Sequence, residues 1–196
     1  MLEDIIVLVS LAILLLALVW LLARMVSALR LQRLWVKGWG GLAQQYGMSF
    51  KSGTSRCSVT GMYRGRIIYM LGSFHLGMAL QMTTTNYASN TLVMKANSLP
   101  PALRASDEET RFAQGFTLVS GSQEFLDRLF LSRALRQRLA PLAGTPGLVI
   151  NLTGEELSLT TPRLYTQSGE LLRFLDALSD LAGGIEDIRL VNSAIR

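Results

Sequence analysis

The chain opens on an apolar run and then changes rhythm. Ile5 to Ala23 reads IIVLVSLAILLLALVWLLA, nineteen residues without a charge. A helix of that length rises about 28 Å, close to the ~30 Å hydrocarbon core of a bilayer. It is apolar all round, with no polar stripe, and this predicts a membrane-spanning helix over a soluble core helix. Ser10 is its one polar residue, and a helical serine can return its proton to the preceding turn. Trp20 lies near the end, where an indole meets the headgroups. A cleaved signal peptide would need a positive leader, but Glu3 and Asp4 stand there. Val26-Ser27-Ala28 offers only a weak small-residue cleavage site, with Arg24 set against it.

Residues 24–46 continue the helix. Leu31, Leu34, Trp35, Trp39 and Leu42 recur at three- and four-residue steps, while Arg30, Arg33 and Lys37 make a basic stripe. Gly38, Gly40 and Gly41 weaken this reading, and Gly47 suits the end of the helix. Trp20, with Trp35 and Trp39, is expected to set membrane depth. The anchor is assigned to residues 1–23, a linking helix to 24–47 and an α+β domain to 48–196.

Strand rhythm follows. Met48–Phe50, Arg56–Thr60 and Arg66–Leu71 are short strands, the last two flanking a Gly61–Gly65 turn. Met78–Thr85 alternates cleanly, with Met78, Leu80, Met82 and Thr84 on one face. Asn86 begins a turn, and Thr91–Lys95 is expected to pair back. Asn97–Arg111, with Pro100-Pro101 and Asp107-Glu108-Glu109, reads as an exposed loop. Phe116–Val119 is a strand. Ser120 or Ser122 caps a helix over Gln123–Leu139. Leu148, Ile150 and Leu152, then Leu157 and Leu159, make a hairpin about Thr153–Glu156. A last helix spans Gly169–Ala182, stopped by Gly183-Gly184; the tail to Arg196 has no clear pattern. Consecutive strands predict a mainly antiparallel sheet with helices packed on one face, an α+β fold behind a single N-terminal transmembrane helix.

Charge gives the orientation. Of 196 residues, nineteen are Lys or Arg and fourteen Asp or Glu, for a net +5. All the basic residues follow the span. Arg24, Arg30, Arg33 and Lys37 crowd its C-terminal flank, and the positive-inside rule then puts the N-terminus outside and the soluble domain in the cytoplasm. One cysteine, Cys57, suits a reducing compartment. Asn151-Leu152-Thr153 has the glycosylation pattern, which has no meaning on that side of the membrane.

Candidate chemistry is thin. One cysteine and one histidine argue against a Cys/His zinc site. GxxxxGK[ST], GxGxxG and GxSxG are all absent. His75 reads as a loop histidine, Cys57 as a small buried apolar group, and Glu155-Glu156 and Asp107–Glu109 as solvated acids. The expected set of catalytic, cofactor and metal residues is therefore empty, with a membrane-tethered enzyme using an unrecognised loop site as the alternative. The positive signal is basic. Arg24, Arg30, Arg33 and Lys37 flank the membrane, Arg64 and Arg66 lie at the first hairpin turn, and Arg128, Arg133, Arg136 and Arg138 follow on the central helix. The first six are the candidate lipid or partner contacts. The expected partners are the bilayer and a membrane protein complex, with nucleic acid disfavoured for want of a binding motif.

The run Gly61-Met62-Tyr63-Arg64-Gly65-Arg66, after a Gly47-Met48-Ser49-Phe50 segment, resembles uncharacterised bacterial membrane-anchored proteins with a G-x-Y-R-G-R turn. The resemblance covers roughly residues 40–183. It implies a bacterial source and this architecture, and it brings no activity and no catalytic residues. The reading is of a non-enzymatic membrane-anchored binding or scaffold module.

Overall fold

A computed structural model describes residues 2–85, 90–104 and 106–193. The apolar run is helical and does not stop where a bilayer would. α1 (Leu2–Trp35) passes through a π-helical turn (Val36–Gly40) into α2 (Gly41–Gln45). Among the described residues this is the one helix long and apolar enough to cross a membrane, and the domain buries none of its apolar window. The glycines sit in or beside the π turn, which widens the helix locally. Gly38 there meets the backbone of Thr166 so closely that a Cβ would lie 1.6 Å from the Thr166 carbonyl oxygen. Gly47 takes φ +65°, and the Met48 N–H returns to the Ala43 carbonyl at 2.7 Å. This six-to-one bond ends the helix where the sequence placed its stop.

In chain order the strands are β1 (Ser49–Ser52), β2 (Arg56–Tyr63), β3 (Arg66–Ser73), β4 (Gly77–Thr83), β5 (Leu92–Ala96), β6 (Phe116–Ser120), β7 (Val149–Thr153) and β8 (Glu156–Thr161). They form one antiparallel sheet in the order β1-β2-β3-β4-β8-β7-β5-β6. The period-two pattern sets its faces. Cys57 and Val59, Ile68 and Met70, Leu80 and Met82, Ile150 and Leu152, and Leu157 and Leu159 all point into the core. Thr60, Tyr69 and Gln81 mark the open face. The core side is covered by the end of the long helix, α5 (Gln123–Leu129), α6 (Arg133–Leu139) and α7 (Ser168–Ser193). The chain is α+β, with helices on one face of the sheet.

Several local expectations are corrected. The first hairpin turn is two residues, Arg64 (φ +48°) and Gly65 (φ +80°), and not five. Positive φ at both positions matches the twist of the strands, so β2 and β3 pair through Tyr63↔Arg66. β5 does not pair back with β4; it lies between β7 and β6. The 97–111 stretch is not wholly loop. It holds α3 (Pro101–Arg104) and the start of α4 (Glu108–Gly115), where Asp107 is an N-cap accepting from Thr110 N–H at 2.9 Å. The central helix breaks at Phe130–Ser132. Ser122 caps α5 and Ser132 caps α6, while the Arg136 guanidinium bonds the Phe130 carbonyl freed at the break. α7 runs through Gly183-Gly184, because inward Ile185 continues its apolar stripe. The expected turn at Asn86 and the tail beyond 193 lie outside the described residues.

Candidate functional site

The long helix enters the domain along a strand. Trp35 stacks on Phe74 with ring centroids 4.8 Å apart. Further on, Trp39 lies against Gly72, the partner of Cys57 across β2–β3. At the far end Tyr46 meets Tyr63 edge-on at 5.1 Å. The helix thus travels beside β2 from its Cys57 end to its Tyr63 end. Trp35 and Trp39 are 0 % exposed, and Trp39 Nε1–H donates to the Tyr165 carbonyl at 2.8 Å. They do not set membrane depth, as expected above, because they are core residues of the domain. Trp20 remains exposed on the span, with the Arg24 guanidinium 5.2 Å above its ring.

This course gives the domain two ends. The β3–β4 turn lies towards the span and the β2–β3 turn away from it. From Ala23 to Trp35 is about 18 Å of helix, and from Trp35 to Tyr46 about 16 Å more. Arg24, Arg30, Arg33 and Lys37 are exposed on the near part. Arg33 and Lys37 each sit two positions from Trp35, roughly 200° round the helix, so the basic stripe points away from the domain. Arg64 and Arg66 lie some 35 Å from the span by the same reckoning. The six candidate contacts therefore form two separate groups.

Arg64 and Arg66 clamp the distal turn to α7. Arg64 reaches Asp176 at 2.6 Å and Asp180 at 3.1 Å. Tyr63 OH donates to Asp176 at 2.6 Å, and burial, then that carboxylate, raises its pKa. Arg66 pairs with Glu186 at 2.5 Å and donates to Ser179 Oγ at 3.3 Å. Glu186 also accepts from Thr85 N–H and Thr84 Oγ1 at 3.3 Å each. Burial pushes the Glu186 carboxyl up, but the Arg66 and Thr85 hydrogen bonds outweigh it and hold the carboxyl below its ordinary value.

Beside this clamp a groove of about 860 Å³ opens between α5–α6 and α7. Leu129, Leu135 and Ile188 line its floor, and Gly183-Gly184 let the helices approach; a Cβ on Gly184 would come within 3.2 Å of both leucines. Arg128 and Arg138 join Arg64 and Arg66 on the rim. All four are paired with acids: Arg128 with Glu124 and Arg138 with Asp180 complete the set. The rim is thus mixed in sign. Leu131 stands at the mouth, 81 % exposed. Sequence reasoning did not find this groove. Its traces were Ser132, read as mid-helix and in fact a second cap, and the paired glycines, read as a stop.

His75 is exposed on the β3–β4 turn, and Glu155 and Glu156 are exposed at the β7–β8 turn. Cys57 is buried, and burial pushes its thiol up to about 12. Asp107 is an exposed helix cap whose carboxyl the Thr110 N–H holds below its usual value.

No protein-family model and no curated protein matches the chain. Among solved structures, its fold is similar to the crystal structure of the mycobacterial trehalose monomycolate transport factor A, TtfA. The TM-score is 0.51 at 8 % identity, covering 74 % of this chain and 90 % of that one.

Proposed function

We propose that the chain is a single-pass, membrane-anchored binding module without catalytic activity, its domain on the cytoplasmic side and its distal groove open to a protein partner in a membrane complex. The observation that carries this reading is the unbroken helix from the apolar span into the core. A tether sealed by two buried tryptophans holds the groove at a fixed remove from the bilayer, and confinement to that layer raises the effective concentration of weak partners. The groove has the size and apolar floor of a binding site, with polar groups kept to its rim. The fold is similar to that of a protein named as a transport factor, which is in keeping with a binding role.

The test is co-purification of the full chain from mild detergent. A stoichiometric membrane partner is expected, and Leu131→Asp should release it while leaving the chain in the membrane fraction. Retention of the partner by that variant would overturn the assignment to the groove. The sidedness rests on the flanking charges. Replacing Arg24, Arg30, Arg33 and Lys37 by glutamine should weaken or invert the topology, read by protease protection in inverted vesicles. Unchanged orientation would count against the cytoplasmic placement.

A further inference from the structure

Where the long helix enters, three connections lie side by side. They are the β1–β2 turn, the β3–β4 turn and the β8–α7 connection. Phe74 N–H donates to the Ser55 carbonyl at 3.3 Å, tying the first two together. Gly77 sits so close to the third that a Cβ would fall 2.1 Å from the Thr161 carbonyl oxygen. The close approach and φ +77° both require glycine there, and they fix the β3–β4 turn in place.

That turn carries Phe74, 45 % exposed, and Leu76, 69 % exposed. Two large apolar side chains on an exposed tip contribute little to folding, and such exposure marks a contact surface when it adjoins others. Here it adjoins the anchor itself, since Phe74 packs on Trp35. Glu170, in the first turn of α7, acts on Tyr165 as Arg163 does, but the charge of the anchor and of the first five strands has one sign. Residues 5–106, which include the helix from Ile5 onward and β1 to β5, contain ten Lys or Arg and no Asp or Glu. Arg56, which begins β2 opposite Ser73, and Arg163, on the β8–α7 connection, are both exposed at this end.

We propose that this end of the domain, with Phe74 and Leu76 at its tip and Arg56 and Arg163 beside them, seats in the anionic headgroup layer of the bilayer that holds the helix. The proposal rests on reading the first helix as a membrane anchor. Of the ~18 Å between Ala23 and Trp35, headgroups fill about 5–8 Å. The tip and the tilt of the helix have about 10–13 Å to cover. The turn projects from Trp35 towards the bilayer, because β3 runs that way, and a helix tilt of ~20° lowers that side further. The basic stripe lies on the other side of the helix, so this surface is distinct from Arg30, Arg33 and Lys37. Together the two would hold the domain upright, one on each flank of the tether.

The experiment uses the full chain reconstituted in phosphatidylglycerol/phosphatidylethanolamine vesicles, and in phosphatidylcholine vesicles for comparison. Leu76→Cys is labelled with an environment-sensitive fluorophore, and Leu131→Cys in the distal groove is the control. Cys57 is buried, and the parent chain, carried through the same labelling, is the blank. Headgroup-bearing spin-labelled lipid should quench the label at position 76 several-fold more than the label at 131, and more in the anionic vesicles than in the neutral ones. Equal quenching at both positions, in protein that still floats with the vesicles after carbonate washing, would overturn the proposal and leave the anchor standing. Protein that fails to float would overturn the anchor reading and this proposal with it.

Discussion

The two tryptophans where the helix joins the domain give a test in which one substitution has opposite expectations at neighbouring sites. Both are fully buried, but their indole N–H groups differ. Trp39 Nε1–H bonds the Tyr165 carbonyl at 2.8 Å, whereas Trp35 Nε1 has no hydrogen-bond partner among the described residues. Trp39→Phe keeps most of the ring and removes the donor, leaving a buried carbonyl unpaired at a cost of about 1–3 kcal/mol. For a chain of this size ~2 kcal/mol lowers Tm by roughly 4–8 °C. Trp35→Phe also loses ring volume, but it removes a desolvated donor that nothing satisfies, so the two changes offset. Its stability should stay within about 1 kcal/mol of the parent. Trp20→Phe, on the exposed span, is the control and should leave the domain unchanged. Thermal unfolding in mild detergent, followed by near-ultraviolet circular dichroism, reads all three. Equal losses at Trp35 and Trp39, or a Trp39 variant as stable as the Trp20 control, would refute the account of how the tether is sealed.

Gly38→Ala places a methyl on the Thr166 backbone, which cannot swing aside as a side chain would; a loss of about 1–3 kcal/mol is expected in the same unfolding measurement. Glu186 has a folded carboxyl value held below its unfolded one. Its contribution is therefore present above the unfolded value of about 4.3 and is lost as pH falls through the folded value. Glu186→Gln should flatten that acid limb of the stability profile and leave the limb above pH 7 unmoved. A chain beginning at Met48 lacks Trp35, Trp39, Leu42 and Ala43, all core residues, and should not unfold cooperatively, whereas one beginning at Leu29 should.

The span and most strands were legible because each is set by local composition or period. Nineteen uncharged residues have few other solutions, and alternation such as Met78-Leu80-Met82 fixes a face wherever the strand pairs. What was not legible depends on distant partners. Thr91–Lys95 reads as a strand, but nothing local says that it joins Val149–Thr153 and Phe116–Ser120 instead of its predecessor. Gly183-Gly184 normally ends a helix at a cost of up to ~1 kcal/mol each. Here the closeness of Leu129 and Leu135 and the burial of Ile185 outweigh that cost, and those leucines come from more than forty residues earlier. Arg64 and Arg66 looked like free surface cations, and their acids sit on the last helix. Trp35 and Trp39 looked like membrane-interface residues because amphipathic spacing beside a span has the same form whether the apolar stripe meets lipid or a folded domain.

That ambiguity follows from how the molecule is built. A flexible linker after Ala23 would leave the orientation of the domain free, and the basic flank would be the only thing to hold it against the bilayer. Instead the span continues as helix for more than twenty residues, and its second part is one wall of the core. Folding the domain therefore fixes the direction of the tether, and inserting the tether fixes which end of the sheet faces lipid. The π turn is where these two demands meet. Trp35, Gly38 and Trp39, at i, i+3 and i+4, lie on one side of the helix there, so the two indoles enter the core while Gly38, with no side chain, meets the Thr166 backbone. Changes at that turn should accordingly act on orientation and stability together, whereas changes in the groove some 35 Å from the span should alter binding and leave both untouched.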